Sequence, residues 1–189
     1  MQQPDRRIFL REFAAISHAI STYSDVNLLN SHLVEMISKS FKVKGSSIFL
    51  YDEREKQLFR VSSYGISESY QTKGPIYVDE RFSEFKSGKP VFFSDFREDP
   101  RIQYPEEAIK EGIVSMLSVP IKFHEDVIGL IKIYNAEPWI LHDEDLNSMC
   151  VIAEHLGLVL EYNGLKNFLD QVKIAIESLP LRMLRGISI

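Results

Sequence analysis

Cysteine is almost missing. Cys150 stands alone among 189 residues, so no disulfide can close within the chain and the core has to hold by packing. That suits a reducing compartment, and a cytoplasmic protein is expected. Long apolar runs are missing as well. Nothing approaches the roughly 18 consecutive apolar residues of a membrane span, and the start MQQPDRRIFLREF carries no apolar signal-peptide core. A basic excess is also missing. The net charge of −5 argues against broad nucleic-acid binding, which needs a basic face, while leaving room for a local basic pocket. GxxxxGK[ST], GxGxxG and GxSxG do not occur, so the standard phosphate loops and the nucleophile elbow are absent. His18, His32, His124, His142 and His155 never fall at metal-site spacing. Enzymatic chemistry has no positive support, and the expectation is a non-catalytic protein.

What is present is an ordinary globular composition, 44% hydrophobic and 26% charged, of the length of one large domain. Phe9, Phe13, Ile16 and Ile20 recur at steps of four, three and four, which predicts an amphipathic helix over residues 6–23 behind Pro4 and Asp5. A second helix is predicted from Asp25, as N-cap, to Phe41, with Leu29, Leu33, Met36 and Ile37 as its stripe and Gly45 after its end. SSIFLYD and QLFRVSSYG, joined by EREK, read as a β-hairpin. Residues 79–88 read as two helical turns with Phe82 and Phe85 inward, and PVFFSD as a short edge or first strand. YPEEAIKEG has the Pro-then-Gly asymmetry of a short helix. VSMLSVPIKF and VIGLIKIYN are strands around a tight turn near His124, Glu125 and Asp126. A long helix then opens at Asp143, where DED complements the dipole. Met149, Ala153, Leu156 and Leu160 form its first stripe. Leu165, Phe168, Val172, Ala175 and Leu179 form a second, which suggests a partner helix.

Cys150, flanked by Met149 and Val151, reads as a small buried hydrophobe. The charged stretch SDFREDPRI admits two readings. In one, Asp95 and Asp99 shape turns and Arg97 and Arg101 pair with them or with Glu106 and Glu107. In the other, a segment over one sheet face uses Arg101 and Tyr104 to grip a small polar or anionic ligand. Lys132 interrupts an apolar strand, so it either snorkels to a sheet edge or points into a polar cavity.

The runs SGKPVFFSDFREDPRI, AIKEGIVSMLSVPI, VIGLIKIYN and LHDEDLNSM resemble the GAF domain family. The likeness rests on Gly88 to Val91, Asp95, Asp99 to Arg101, Gly112 to Ser115, Val119 to Ile121, Ile128 to Leu130 and Asp143 to Leu146, in order within residues 8–165. It implies an α+β fold: a five- to six-stranded antiparallel sheet with N- and C-terminal helices on one face. A lid of short helices and loops would cover a pocket on the other. The expected organisation is one GAF-like domain over residues 1–165, with 166–189 as helix extension and tail. Of the cyclic-nucleotide-binding pattern, Asn135, Trp139, Asp143 and Glu144 match, but Ala136 stands where a lysine is expected. Bilin-binding relatives need a pocket cysteine and the free methionine-sulfoxide reductases of this fold need several, and Cys150 meets neither requirement.

The resemblance implies a sensory or regulatory domain. It would bind an unidentified small molecule between sheet and lid and signal through dimer-forming terminal helices to a signalling partner protein, with no nucleic-acid or membrane partner. The expected ligand-binding residues are Phe93, Asp95, Arg101, Tyr104, Ile109 and Ser115, then Phe49, Tyr51 and Lys132. No cofactor is named. The alternatives are a ligand-free dimerisation or adaptor domain with a filled pocket, and a small redox enzyme of the same fold using an exposed Cys150.

Overall fold

The first predicted helix forms, but later than expected. In the computed structural model, which describes residues 6–96 and 99–177, α1 spans Leu10–Thr22. Ile16 and Ile20 are buried as the stripe requires, whereas Phe9 precedes the helix and is 57% exposed. The cause lies at the other end of the chain. The Asp145 carboxylate accepts the N–H groups of Arg7 (2.9 Å) and Ile8 (2.8 Å), which holds this lead-in extended and buries Ile8 in place of Phe9. Pro4 and Asp5 lie outside the described residues.

Helix α2, Val26–Phe41, starts where its capping residue dictates: Asp25 accepts from the N–H groups of Asn27 and Leu28. It ends differently from the expectation. Lys42 takes the left-handed conformation (φ 51°) at the C-terminus, and Gly45 instead opens strand β1, Gly45–Asp52. A Cβ at Gly45 would stand 2.3 Å from the carbonyl oxygen of Tyr64, so only glycine allows this close approach of two strands.

The hairpin is β1 with β2, Gln57–Tyr64. Two elements were not expected, helix α3, Glu68–Gln71, and strand β3, Ile76–Tyr77. Both are too short for any periodicity to announce them. Helix α4 is Ser83–Ser87, strand β4 Val91–Phe93 and helix α5 Pro105–Glu111, with proline in its first turn and Gly112 left-handed at its end (φ 74°). Strands β5, Ser115–Phe123, and β6, Asp126–Asn135, precede helix α6, Asp143–Glu177.

The six strands form one antiparallel sheet in the order β3-β2-β1-β6-β5-β4. Side chains alternate across it. Ile48, Leu117, Val119, Ile121, Ile131 and Ile133 turn to the face covered by α1, α2 and α6, where they are fully buried with Leu33, Ile37, Met149 and Leu156. Each such aliphatic side chain contributes about 1.5–3 kcal/mol by leaving water. Ser46, on this face, is satisfied by donating to the Val34 carbonyl (2.8 Å). Gly157 lets α6 come down onto the sheet, since a Cβ there would lie 2.0 Å from the carbonyl oxygen of Lys122.

The stripe of α6 divides in two. Met149, Ala153 and Leu156 are buried, but Leu165, Phe168 and Val172 of the second stripe are exposed. Ala175 is exposed too, and Leu179 falls outside the described residues. No helix among the described residues is long and apolar enough to cross a membrane.

Candidate ligand pocket

The opposite face of the sheet is built from the alternate residues of the same strands. Phe49 and Tyr51 of β1, Met116 and Ser118 of β5, Leu130, Lys132 and Tyr134 of β6 and Phe93 of β4 turn this way. The chain between β2 and β5 covers them, and polar links hold that cover down. Tyr104 Oη donates to the Pro75 carbonyl (2.7 Å), and the Gln103 side chain brackets the backbone of Tyr77. Glu111 accepts from Ser67 N–H (3.2 Å) and pairs with Lys44 (3.2 Å).

Between floor and cover lies a cavity of about 40 Å³, counted as the space that a water's centre can reach. Aromatic and aliphatic groups wall it, among them Tyr70, Phe82, Phe93, Phe96 and Met116. Its charges are Lys73, Arg81, Glu84, Arg101 and Lys132. Arg81 is forked onto Asp79, and Arg101 onto Asp99 (2.9 and 2.6 Å), with the Arg101 guanidinium 4.4 Å from the centre of the Phe93 ring. The Arg101 hydrogen bond, above all, holds the Asp99 carboxyl below its usual range.

Lys132 differs from both arginines. It sits on a central strand, 7% exposed, between the rings of Phe82 (4.9 Å) and Phe49 (5.5 Å). Among the described residues no hydrogen bond or ion pair reaches its amine. Burial lowers its pKa to about 8, against the opposing pull of Glu84. Of the two expectations for this lysine, the cavity is where it points. Lys73 donates to the Tyr70 carbonyl (3.1 Å) and lies 3.6 Å from that ring's centre. Burial first, then Lys132 and Arg60, lower its pKa to about 7. Burial also raises the phenols of Tyr70 and Tyr134.

Of the residues expected at a pocket, Phe93, Arg101, Tyr104 and Lys132 line this cavity. Phe49 lies beneath Lys132, and Tyr51 packs on Phe85 at 4.7 Å, both on the right face but behind the wall. Three expected residues stand elsewhere. Ile109 is on the outer side of α5, 53% exposed. Ser115 points away because β5 alternates: its hydroxyl donates to the Glu137 carbonyl (2.7 Å), at the exit from β6. Asp95 lies in the loop after β4, outside the wall. Arg97 is outside the described residues. Glu84, Tyr134 and Lys73 were missed. Tyr134 was available as the alternate neighbour of Lys132, whereas Lys73 follows the unforeseen α3.

Trp139 stands edge-on to Phe41 (5.4 Å) and Phe92 (5.9 Å) on the helix face, a core residue rather than a pocket wall. Cys150 is half-buried on α6 against the same core, and burial raises its thiol pKa. No group of three His, Cys, Asp or Glu side chains among the described residues could hold a metal ion.

The family model described as GAF domain matches residues 25–160. The chain belongs to the GAF domain family. Solved structures agree on the fold. The GAF domain of a phosphoenolpyruvate-protein phosphotransferase from Coxiella burnetii superposes with TM-score 0.75 at 15% identity, covering 84% of this chain and 95% of that one. The corresponding GAF domain from Acinetobacter gives 0.70 at 19%, covering 81% and 92%. A free methionine-R-sulfoxide reductase from Neisseria meningitidis, solved with its substrate, gives 0.65 at 14%, covering 85% and 96%. No curated protein matches the chain. GAF domains are typically regulatory or sensory, and at these identities the likeness to solved structures carries the fold alone.

Proposed function

We propose that this GAF domain is a non-catalytic sensory or regulatory module that binds a small molecule between sheet and lid. Occupancy would be passed to α1 and α6 within a homodimer, and from there to a partner protein. The observation that carries this reading is the aromatic cavity with Lys132 unpaired in its floor. A buried cation with no counter-ion in contact is costly even with Glu84 nearby, and a ligand that answers it recovers that cost. The exposed apolar residues Leu165, Phe168, Leu169 and Val172 along α6 support helix pairing. A ligand shifts the dimer only if its affinity differs between two helix arrangements.

Native mass spectrometry of the purified protein tests both halves, reporting dimer mass and any copurified molecule together. Replacing Arg101 and Tyr104 by alanine should abolish binding of that molecule, and unchanged affinity would remove the site from this cavity. The small size of the cavity, about 40 Å³, favours the second reading, a ligand-free dimerisation domain. That reading predicts a dimer with nothing copurified and no stabilisation by metabolites. The redox reading predicts rapid labelling of Cys150 in the native protein, and its half-buried, raised thiol speaks against that.

A further inference from the structure

Of the four cations around the cavity, three are held by an acceptor. Arg81 is forked onto Asp79 and Arg101 onto Asp99. Lys73 donates to the Tyr70 carbonyl and feels the charges of Glu107 and Glu111. Lys132 is the exception among the described residues. It feels Glu84, but its amine touches only the rings of Phe49 and Phe82. An ammonium has three N–H donors and no acceptor capacity, so all three are buried here without a partner.

The charges themselves are matched, each cation having a carboxylate in contact or at longer range. An added anion would upset that match. A carbonyl compound keeps it, because condensation with the amine exchanges one monocation for another. The iminium that forms still faces Glu84, carries one N–H donor where the ammonium had three, and suits an aromatic surround. The step balances. The ammonium gives up a proton, for which Glu84 is the carboxylate on the wall, and the Nζ lone pair forms a bond to the carbonyl carbon. The C–O bond then breaks and the oxygen leaves as water with two hydrogens that began on Nζ, while the iminium nitrogen keeps one. Burial, by lowering the Lys132 pKa to about 8, makes the neutral amine far commoner than on an exposed lysine.

The size of the cavity restricts the partner. At roughly 10–15 Å³ per water on this measure, a space of about 40 Å³ holds about three waters, or a carbonyl compound of about two or three carbons. We infer that Lys132 is a covalent acceptor for a small aldehyde or ketone, held in the cavity as an iminium on Nζ. This rests on the proposal that the cavity is a ligand site, and adds the ligand's class and the residue that takes it.

The experiment treats the whole chain with substoichiometric acetaldehyde and cyanoborohydride at neutral pH, and maps the reduced adducts by peptide mass spectrometry. Lys132 should be labelled at least about tenfold above exposed lysines such as Lys86, given the difference in neutral amine. In urea that preference should vanish, and in Lys132→Met the cavity adduct should be lost while exposed lysines label as before. A preference that persists in urea, or labelling that spares Lys132 in the folded chain, overturns the covalent reading. Acetamide, which has the same shape but forms no iminium, separates this from the cavity itself. If Lys132 is spared while acetamide shifts the amide NMR signals of β6 and the lid, or native mass spectrometry finds a noncovalent molecule that the Arg101 and Tyr104 replacements expel, the cavity remains a site. Lys132 spared, acetamide silent and nothing copurified overturns both.

Discussion

The two faces of one sheet treat buried charge in opposite ways. On the helix face Asp145, fully buried, is met by two backbone N–H groups at 2.8 and 2.9 Å. On the lid face Lys132 is nearly as buried, touches only aromatic rings, and feels the Glu84 carboxylate without a hydrogen bond or ion pair to it. The same strands, by alternation, supply both surfaces. Both faces keep orphaned polar atoms, Trp139 Nε1 and the Asn30 amide on the helix side and the Ser118 hydroxyl on the lid side, but among the described residues only the lid face leaves a buried charged residue without a hydrogen-bond partner.

Substitutions can break this contrast. Ile131→Ala, in the middle of the helix face, should lose the most, about 2–5 kcal/mol, read as a lower denaturant midpoint at unchanged slope. Asp145→Ala should cost about 2–3 kcal/mol, because the N–H groups of Arg7 and Ile8 lose a charged acceptor. Amide exchange should rise first in the lead-in to α1. Lys132→Met should act in the other direction, stabilising by about 1–3 kcal/mol at neutral pH as a buried charge gives way to an apolar chain of similar length. Equal destabilisation by both charge removals would erase the distinction between the faces.

The pH dependence sharpens the same point. Lys132 has a pKa of about 8 in the folded chain against an ordinary 10.5, so between those values the unfolded chain holds the extra proton. Stability therefore rises with pH across that window, and the penalty is complete below about 8. In Lys132→Met the rise should be shallower by the contribution of one proton, while that of Lys73 persists but begins above its pH of about 7, because the Lys132 charge that helps to lower its pKa is gone. The smallest effect is expected from Asp25→Ala, about 1 kcal/mol from a lost N-cap on α2, with no change in the pH profile.

Sequence patterns revealed the scaffold better than the site, for a physical reason. Long elements repeat their signal, so the stripes of α1 and α2, the hairpin and the two long strands were legible from spacing, as was the Pro–Gly frame of α5. The errors came from contacts distant in sequence. Nothing near Phe9 reveals that Asp145 holds the lead-in to α1, and nothing near Gly45 reveals the Tyr64 carbonyl beside it. At the cavity, strand residues could be read by parity: Phe93 and Lys132 face the lid, and the same rule would have added Tyr134 and removed Ser115. In the lid Arg101 and Tyr104 were legible, but Lys73 and Glu84 were not: Lys73 flanks an unforeseen helix of 4 residues, and the 5 residues of α4, although anticipated, are too few to show which way Glu84 turns.

The glycine that seats α6 on the sheet also makes that helix a lever. With Gly157 against the Lys122 carbonyl as fulcrum, the arm toward Asp143 is roughly 21 Å and the arm toward Glu177 roughly 30 Å, at 1.5 Å per residue. A tilt of about 5° about that point moves the far end by roughly 2–3 Å, on the 30 Å arm that the helical rise gives. A shift of well under a side chain's width at the sheet is thereby amplified into a displacement large enough to change how two such helices pack.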